Sequence, residues 1–479
     1  MAVTTINQSP LYQTLVAGSE IIFAFSNDPA LVSHTRVKFV VDVHISEGSP
    51  PNIASGLDKI ATFKLTPNNS GVGMIDLSGV IEDYVSADNL AANGSTFKGD
   101  TTSDTLNHPM HLIDKFSLNK NSARHMALRI NVEGVGTAGI IENITGTGVT
   151  SMPFLITNGY LKDTDELQNR TTAAPDNWFG YNMNRFFIKA SDSTRRFLTN
   201  APSIQYANPD DYGTISFLVR DFTVSQAAKE IRLAYTDSSG GSQGFDIITR
   251  EAATGSSAWN SNQGVDNTQN QLQFFGCFPA NLRNWSSNFK TAYDAGLMDG
   301  GKITFQFLPY IGSASSKTYT IQLNCPNKKN FKSIRLCWLN QWGAWDYYTF
   351  IQKSITKIST KATTYDQLQG SWSSPYYNAN GFKGGKKTFR KNAIESITMN
   401  TDFVIEDDNV MFEELTNSPE VYILREFQQR TFNTDTLNRY VQPVTLKSTS
   451  FTKKTIANDK LIQYTFEVEK SRTLRTQSI

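Results

Sequence analysis

The sequence is poor in the residues that most often carry chemistry. It holds three cysteines, Cys277, Cys325 and Cys337, and none stands in a CxxC pair or a Cys/His arrangement with metal-ligand spacing. Each reads as a buried free thiol. The five histidines, His34, His44, His108, His111 and His125, crowd into the start of the chain, and only His108 and His111 come close together, in "HPMH", as surface polar residues. HExxH, the Gly-x-Ser-x-Gly elbow and a cysteine nucleophile in its own context are all missing. The expectation is a protein without catalytic turnover, metal or cofactor.

Two further absences exclude whole classes. No run of about 18 apolar residues occurs, so no transmembrane helix is expected, and the opening "MAVTTINQSPLYQTL" lacks the basic and apolar regions of a secretory signal, which points to synthesis in the cytoplasm. Charge of one sign is not in excess. With 45 Lys and Arg against 44 Asp and Glu, no global field draws the chain on to nucleic acid or an anionic membrane, and nucleic acid is not an expected partner.

What the sequence does have is alternation. In "TRVKFVVDVHIS" the residues Val37, Phe39, Val41, Val43 and Ile45 share one face, with Lys38, Asp42 and His44 on the other, the pattern of a half-buried antiparallel strand. The period of two returns at Ile303, Phe305 and Phe307, at Tyr319, Ile321 and Leu323, and at Ile462, Tyr464, Phe466 and Val468. Helical signals are few. One helix is expected after Ser78, with Val80, Ile81, Tyr84 and Val85 as its stripe, and another from Ser287 to Gly296. The fold class is therefore mainly β, two or three antiparallel β-sandwich-like domains with a few short helices joined by turn-rich loops.

A length of 479 residues exceeds one ordinary core at about 100–200 residues per domain. Composition shifts divide it into an N-terminal β-sandwich over 1–160, a central β domain over 161–360 and a C-terminal β domain over 361–479. The stretches Gly146–Phe154 and Lys162–Asn177 mark the first boundary. The second lies in "KATTYDQLQGSWSSPYYNANGFKGGKK", Lys361–Lys387, which reads as a linker or long loop. No solenoid or propeller period appears.

Three stretches imitate chemical motifs. "GFKGGKKT" resembles a phosphate loop, but Lys386 stands where that motif needs Gly and no aliphatic strand precedes it. It reads as a basic surface loop, and Lys383, Lys386, Lys387, Arg390 and Lys391 form a candidate intersubunit face. "VIEDDNVMFEEL" gathers five carboxylates, explained more simply by Asp407 or Asp408 capping a short helix whose Met411 and Leu415 face inward. "DTDEL", Asp163–Leu167, lacks the remaining ligands and turn Gly of a calcium loop.

The densest aromatic block is "RLCWLNQWGAWDYYTF", Arg335–Phe350. Leu336, Trp338 and Trp342 alternate before a break and Tyr347, Thr349 and Ile351 after it, so the block reads as strand, bend at Asn340–Asp346 and second strand, with Gly343 free to take a positive φ. Trp338, Trp342, Gly343, Trp345 and Tyr347 are accordingly structural core and bend residues, with an exposed Trp/Tyr platform for sugars as the alternative.

This block resembles a "WLN..GG.D.Y.F" signature in structural proteins of crAss-like and related tailed bacteriophages of Bacteroidota hosts, with Ala344 at the second Gly. The opening "SPLYQTLVAGSEIIFAFSNDPALVSHTRVKFVVDVHI", followed by "IATFKLTPNNSGVGMIDLSGVIEDYVSADN", is similar to the N-terminal domain of such virion proteins. "ELTNSPEVYIL", "QPVTL" and "DKLIQYTFEVE" are similar to their closing domain. The resemblance implies a virion protein of the tail or neck, a homo-oligomeric ring with hub, ring or fibre-adaptor roles, whose partners are itself and other tail or neck proteins. The alternative is a receptor- or glycan-binding tail protein with an exposed aromatic site.

Overall fold

The computed structural model describes residues 3–47, 50–87, 116–118, 121–162, 165, 177–178, 181–188, 196–219, 228–249, 272–309, 316–324, 331–424, 441–448, 450–455 and 462–472. The chain is mainly β, with antiparallel sheets and few short helices. It forms two compact units. The first comprises Met1–Pro326 with Leu339–Asp346, the second Asn327–Trp338 with Tyr347–Ile479.

The first unit contains two sandwiches. In the N-terminal one, strands Asn177–Trp178, Thr5–Pro10, Ile22–Ser26 and Val72–Asp76 form one sheet. The opposing sheet runs Thr14–Gly18, Phe154–Tyr160, Ala123–Val135, Thr35–Ser46 and Lys59–Leu65, with the short strands Ile141–Asn143 and Val149–Thr150 added to Ala123–Val135. Alternation accounts for their meeting. Val37, Phe39, Val41, Val43 and Ile45 are buried in one cluster with Leu128, Ile130 and Val132, and aromatic edges join the sheets, Phe25 to Phe39 at 4.9 Å and Phe23 to Phe154 at 5.6 Å between ring centroids. On the reverse face Asp42 takes bonds from Lys59 and Thr62.

The reverse face corrects one expectation. His44 is not solvated but buried at 2% exposure, and neither of its ring nitrogens has a partner among the described residues. His125 lies on the same face, because His44 pairs with Ala127 and Ser46 with His125 across the two strands. Burial lowers both imidazoles, that of His125 to about 4, while the Asp42 carboxylate partly opposes the effect at His44. In the unfolded chain a histidine titrates near 6.5, so below that pH the unfolded state binds more protons and stability falls with pH. Acidifying from pH 6.5 to 4 should therefore cost about 3 kcal/mol at His125. Urea titrations at stepped pH should show this slope reduced in His125→Gln, and an unchanged slope would contradict it.

The second sandwich packs the sheet Phe187–Ile188, Thr214–Val219, Leu272–Gly276, Phe116–Leu118 on the sheet Ile204–Ala207, Tyr319–Leu323, Lys302–Pro309, Ala228–Thr236, Ser242–Thr249. Phe217 meets Phe307 at 4.5 Å, and Phe197 lies against Phe305, Phe307 and Tyr319. The expected alternations at Ile303–Phe307 and Tyr319–Leu323 bury as read.

Helix Ser287–Asp294 starts where Ser286 accepts the Phe289 N–H at 3.0 Å and stops before Gly296, whose φ is 73°. The helix expected after Ser78 is shorter. Ser78–Ile81 makes one turn and tightens into a 3₁₀ turn at Glu82–Tyr84, burying Ile81 and Val85 but leaving Tyr84 exposed. Its start is fixed by Asp76, which accepts the Ser78 N–H at 3.0 Å. Cys277 and Cys337 are buried free thiols, whereas Cys325, His108, His111 and most of Lys162–Asn177 lie outside the described residues.

The second unit is built on a seven-stranded sheet in the order Trp345–Phe350, Ile334–Leu339, Val421–Leu424, Val441–Leu446, Thr465–Lys470, Gly385–Asn400, Ile355–Gln367. Helix Asp408–Asn417 covers it through Phe412, 5.5 Å from Phe466, and buries Met411 and Leu415. Its start differs from the capping expected. Asp407 holds the cap position without a side-chain bond, and Asp408 accepts the Ile405 N–H at 2.9 Å.

Two stretches expected to divide the chain fall instead within paired strands. Val149–Thr150 and Phe154–Tyr160 pair into the N-terminal sandwich, so Gly146–Phe154 lies inside it. At the other end, Ile334–Leu339 pairs with Val421–Leu424, which draws the aromatic block into the C-terminal sheet well before residue 361. That residue falls within a strand, and the expected linker Lys361–Lys387 is a β-hairpin.

Candidate interaction surface

The aromatic block is core and bend. Trp338, Trp342 and Trp345 are each at most 2% exposed and Tyr347 is buried, which removes them as a platform for an external ring. Burial here does not alternate. Both faces of Ile334–Leu339 and Trp345–Phe350 are covered.

In the second unit Trp338 stands opposite Val421, while the guanidinium of buried Arg335 lies 4.9 Å over the Tyr347 ring and donates to Thr349 at 2.8 Å. Burial pushes the neighbouring Cys337 thiol far up, which makes it inert as a thiolate nucleophile.

The bend, Leu339–Asp346, belongs to the first unit, and Asn340 organises it. Its side-chain oxygen accepts the N–H groups of Trp342 and Ala344, each at 3.0 Å, while its amide donates to the Leu198 carbonyl at 2.9 Å and to Asp346 at 3.2 Å. Both donors and both acceptor lone pairs of that amide are thereby used. Burial raises the Asp346 carboxyl above the usual range, against the pull of bonds from the Thr199 hydroxyl, at 2.6 Å, and from Asn340. Gly343 takes φ 76°. Trp342 packs on Tyr181 and Phe186 at 5.1 and 4.7 Å. The block's composition marked the bend; the role of Asn340 was visible only as an Asn beside a Gly-containing turn.

The surface that stands open lies elsewhere. Strand Ile355–Gln367 pairs with Gly385–Asn400 over 13 residues of its length. Only Ser396–Asn400 also pairs with Thr465–Lys470. Beyond Ser396 no third strand joins the hairpin among the described residues for about 30 Å at ~3.3 Å per residue, and it ends in a small second sheet, Gly370–Ser373 with Tyr376–Ala379. Ile355–Asp366 is exposed along its whole length, while the partner strand is exposed or half-buried from Gly385 to Glu395. A two-stranded ribbon is marginal in water without a cover. The arm nevertheless shows large apolar groups to solvent, with Trp372 71%, Tyr376 71%, Phe382 75% and Leu368 78% exposed.

All five expected basic residues sit on this arm. Lys386, Arg390 and Lys391 are exposed and stand opposite Asp366, Thr363 and Ala362 respectively. Lys387 is half-buried and donates to the Phe382 carbonyl at 3.0 Å, and Lys383 lies 5.8 Å from the Phe382 ring. Among the described residues none of the five meets a carboxylate within ion-pair distance. The exposed aromatics and the basic residues, near neighbours in sequence between 372 and 391, thus share one projection, while no group of His, Cys, Asp and Glu fit to hold a metal occurs among the described residues.

No family model matches the chain, and no curated protein matches it. Among solved structures it is similar to the Bacillus anthracis TIE protein, with 7% identity over 83% of this chain and 69% of that one, at a TM-score of 0.13. It is also similar to Salmonella alpha-2-macroglobulin reacted with methylamine, with 9% identity over 83% of this chain and 30% of that one, at a TM-score of 0.12. Scores at this level carry no argument about fold or function.

Proposed function

We propose that the chain is a structural subunit of a tailed bacteriophage virion, assembling as a homo-oligomeric ring in the tail or neck and performing no catalysis. The observation that carries this reading is the arm: a ribbon with one strand exposed along its length, with exposed aromatic and basic groups and, among the described residues, no further strand paired to it beyond Ser396. Such a ribbon gains its stability from a surface that covers it, and identical head-to-tail contacts satisfy every copy at once when they close on themselves. The segmental resemblance to crAss-like virion proteins gives this assembly its setting.

Light scattering on the purified chain, with imaging of the particles formed, tests the proposal. A discrete closed oligomer is expected. A chain that stays monomeric at high concentration and joins no tail complex would sink it. A receptor- or glycan-binding role keeps one specific support, the exposed Trp372 and Tyr376 at the arm's tip, because flat rings can stack on sugars. Binding on a glycan array that Trp372→Ala abolishes, without ring formation, would favour it.

A further inference from the structure

The near-zero net charge conceals a division. The first unit carries 23 Lys and Arg against 30 Asp and Glu, a difference of −7, and the second carries 22 against 14, a difference of +8; together these give the chain's +1. Within the second unit the charge concentrates on the arm. Residues 355–400 hold seven Lys and Arg against two carboxylates, and one of those two, Glu395, is already paired with Lys470.

We propose that the arm of one copy docks on the acidic first unit of a second copy, making a head-to-tail contact between unlike surfaces. This rests on the assembly reading above and names the two surfaces that meet. Charge complementarity supports the choice of occupant: the chain itself supplies an acidic body for a basic arm, and opposite potentials steer such encounters and fix their register.

The apolar groups on the arm select protein over nucleic acid. Ile358, Leu368 and Phe382 are exposed; such aliphatic and aromatic surface is covered by packing against another apolar surface, whereas a nucleic-acid ribbon needs chiefly phosphate contacts. Because the two surfaces differ, the contact is heterologous. It generates a ring where the rotation closes and a filament where it does not.

The test uses the full-length chain, in a mixture of isotopically labelled and unlabelled copies, with a photo-crosslinking phenylalanine analogue in place of Phe382. Adducts should join labelled to unlabelled copies and end within 1–326 or 339–346. In parallel, the combined substitution Lys386→Glu, Lys387→Glu and Arg390→Glu should weaken self-association at least tenfold while leaving the far-ultraviolet spectrum and melting unchanged. Added salt should weaken the unmodified chain and have little further effect on the variant.

Adducts confined to one copy, or oligomers unaffected by the triple substitution, overturn the proposal. So does arm-dependent binding of a 30-nucleotide DNA with no adducts between copies. The outcomes also separate this contact from the ring. Closed oligomers without arm adducts keep the ring and remove the arm, open chains with arm adducts do the reverse, and a monomer with neither removes both.

Discussion

Placing an aspartate at position 39 should abolish soluble, folded protein. Phe39 has no exposed surface. It sits in an interior strand of its sheet, paired with Leu65 on one side and Val132 on the other, and its ring meets Phe25 of the opposing sheet edge-on. A carboxylate there would lose both the aromatic contact and its own hydration, with no cation in the surrounding apolar cluster to compensate. Desolvating one ion costs several kcal/mol even after relaxation, and losing a large buried ring adds about 3–5 kcal/mol. Together they rival the whole stability of an ordinary domain, about 5–15 kcal/mol. Phe39→Leu, which keeps the site apolar, should remain soluble with a lowered melting temperature. Normal yield and melting of the aspartate variant would refute the burial of this strand.

Gly343→Ala is expected to have the next largest effect. The backbone holds φ 76°, a region that costs a non-glycine residue about 1–3 kcal/mol. Space is also absent, because an added Cβ would lie 1.9 Å from the carbonyl oxygen of Asn158. A backbone atom cannot swing aside as a side chain does. Overpacking of this kind adds about 1–3 kcal/mol, for a total near 2–6 kcal/mol. Movement of the turn would also disturb the bonds from Trp342 and Ala344 to Asn340. Ala344, though buried, already carries its Cβ, so Ala344→Gly serves as a control for mutating the turn itself. Equal denaturation midpoints for the Gly343→Ala variant and the parent would contradict the turn geometry.

Local pattern revealed several of the long strands and little of their company. The five alternating residues from Val37 to Ile45 had to share a face whatever lay opposite, and they do. His44, read from the same alternation as solvated, is buried together with Ala127 and His125 beside it on the reverse face, which alternation within one strand does not reveal. Glycine, serine and asparagine in Lys361–Lys387 argued for a loop, yet regular pairing from Ile355 to Gln367 overrides composition there. The block around Trp338 declared its bend through Gly343, but not that Asn340 would accept two of the turn's N–H groups while donating to the Leu198 carbonyl. The cations of the arm were legible as a cluster. Their projection on a free-standing ribbon was not, because it depends on which strands pair with Gly385–Asn400 and where that pairing stops.

The chain enters the second unit at residue 327, returns to the first for Leu339–Asp346 and leaves it again at Tyr347. A genetic exchange that swapped everything after residue 326 for a foreign segment would therefore not deliver a finished first unit. The eight returning residues include the Asn340 amide that binds the Leu198 carbonyl and the Asp346 carboxyl that binds the Thr199 hydroxyl, so a graft without them would leave those groups exposed or orphaned. Inheritance of the first unit is thereby tied to inheritance of a short insert within the second. Recombination between relatives should be tolerated where both pieces travel together, and a mosaic gene would be expected to keep 198–200 and 340–346 from the same parent.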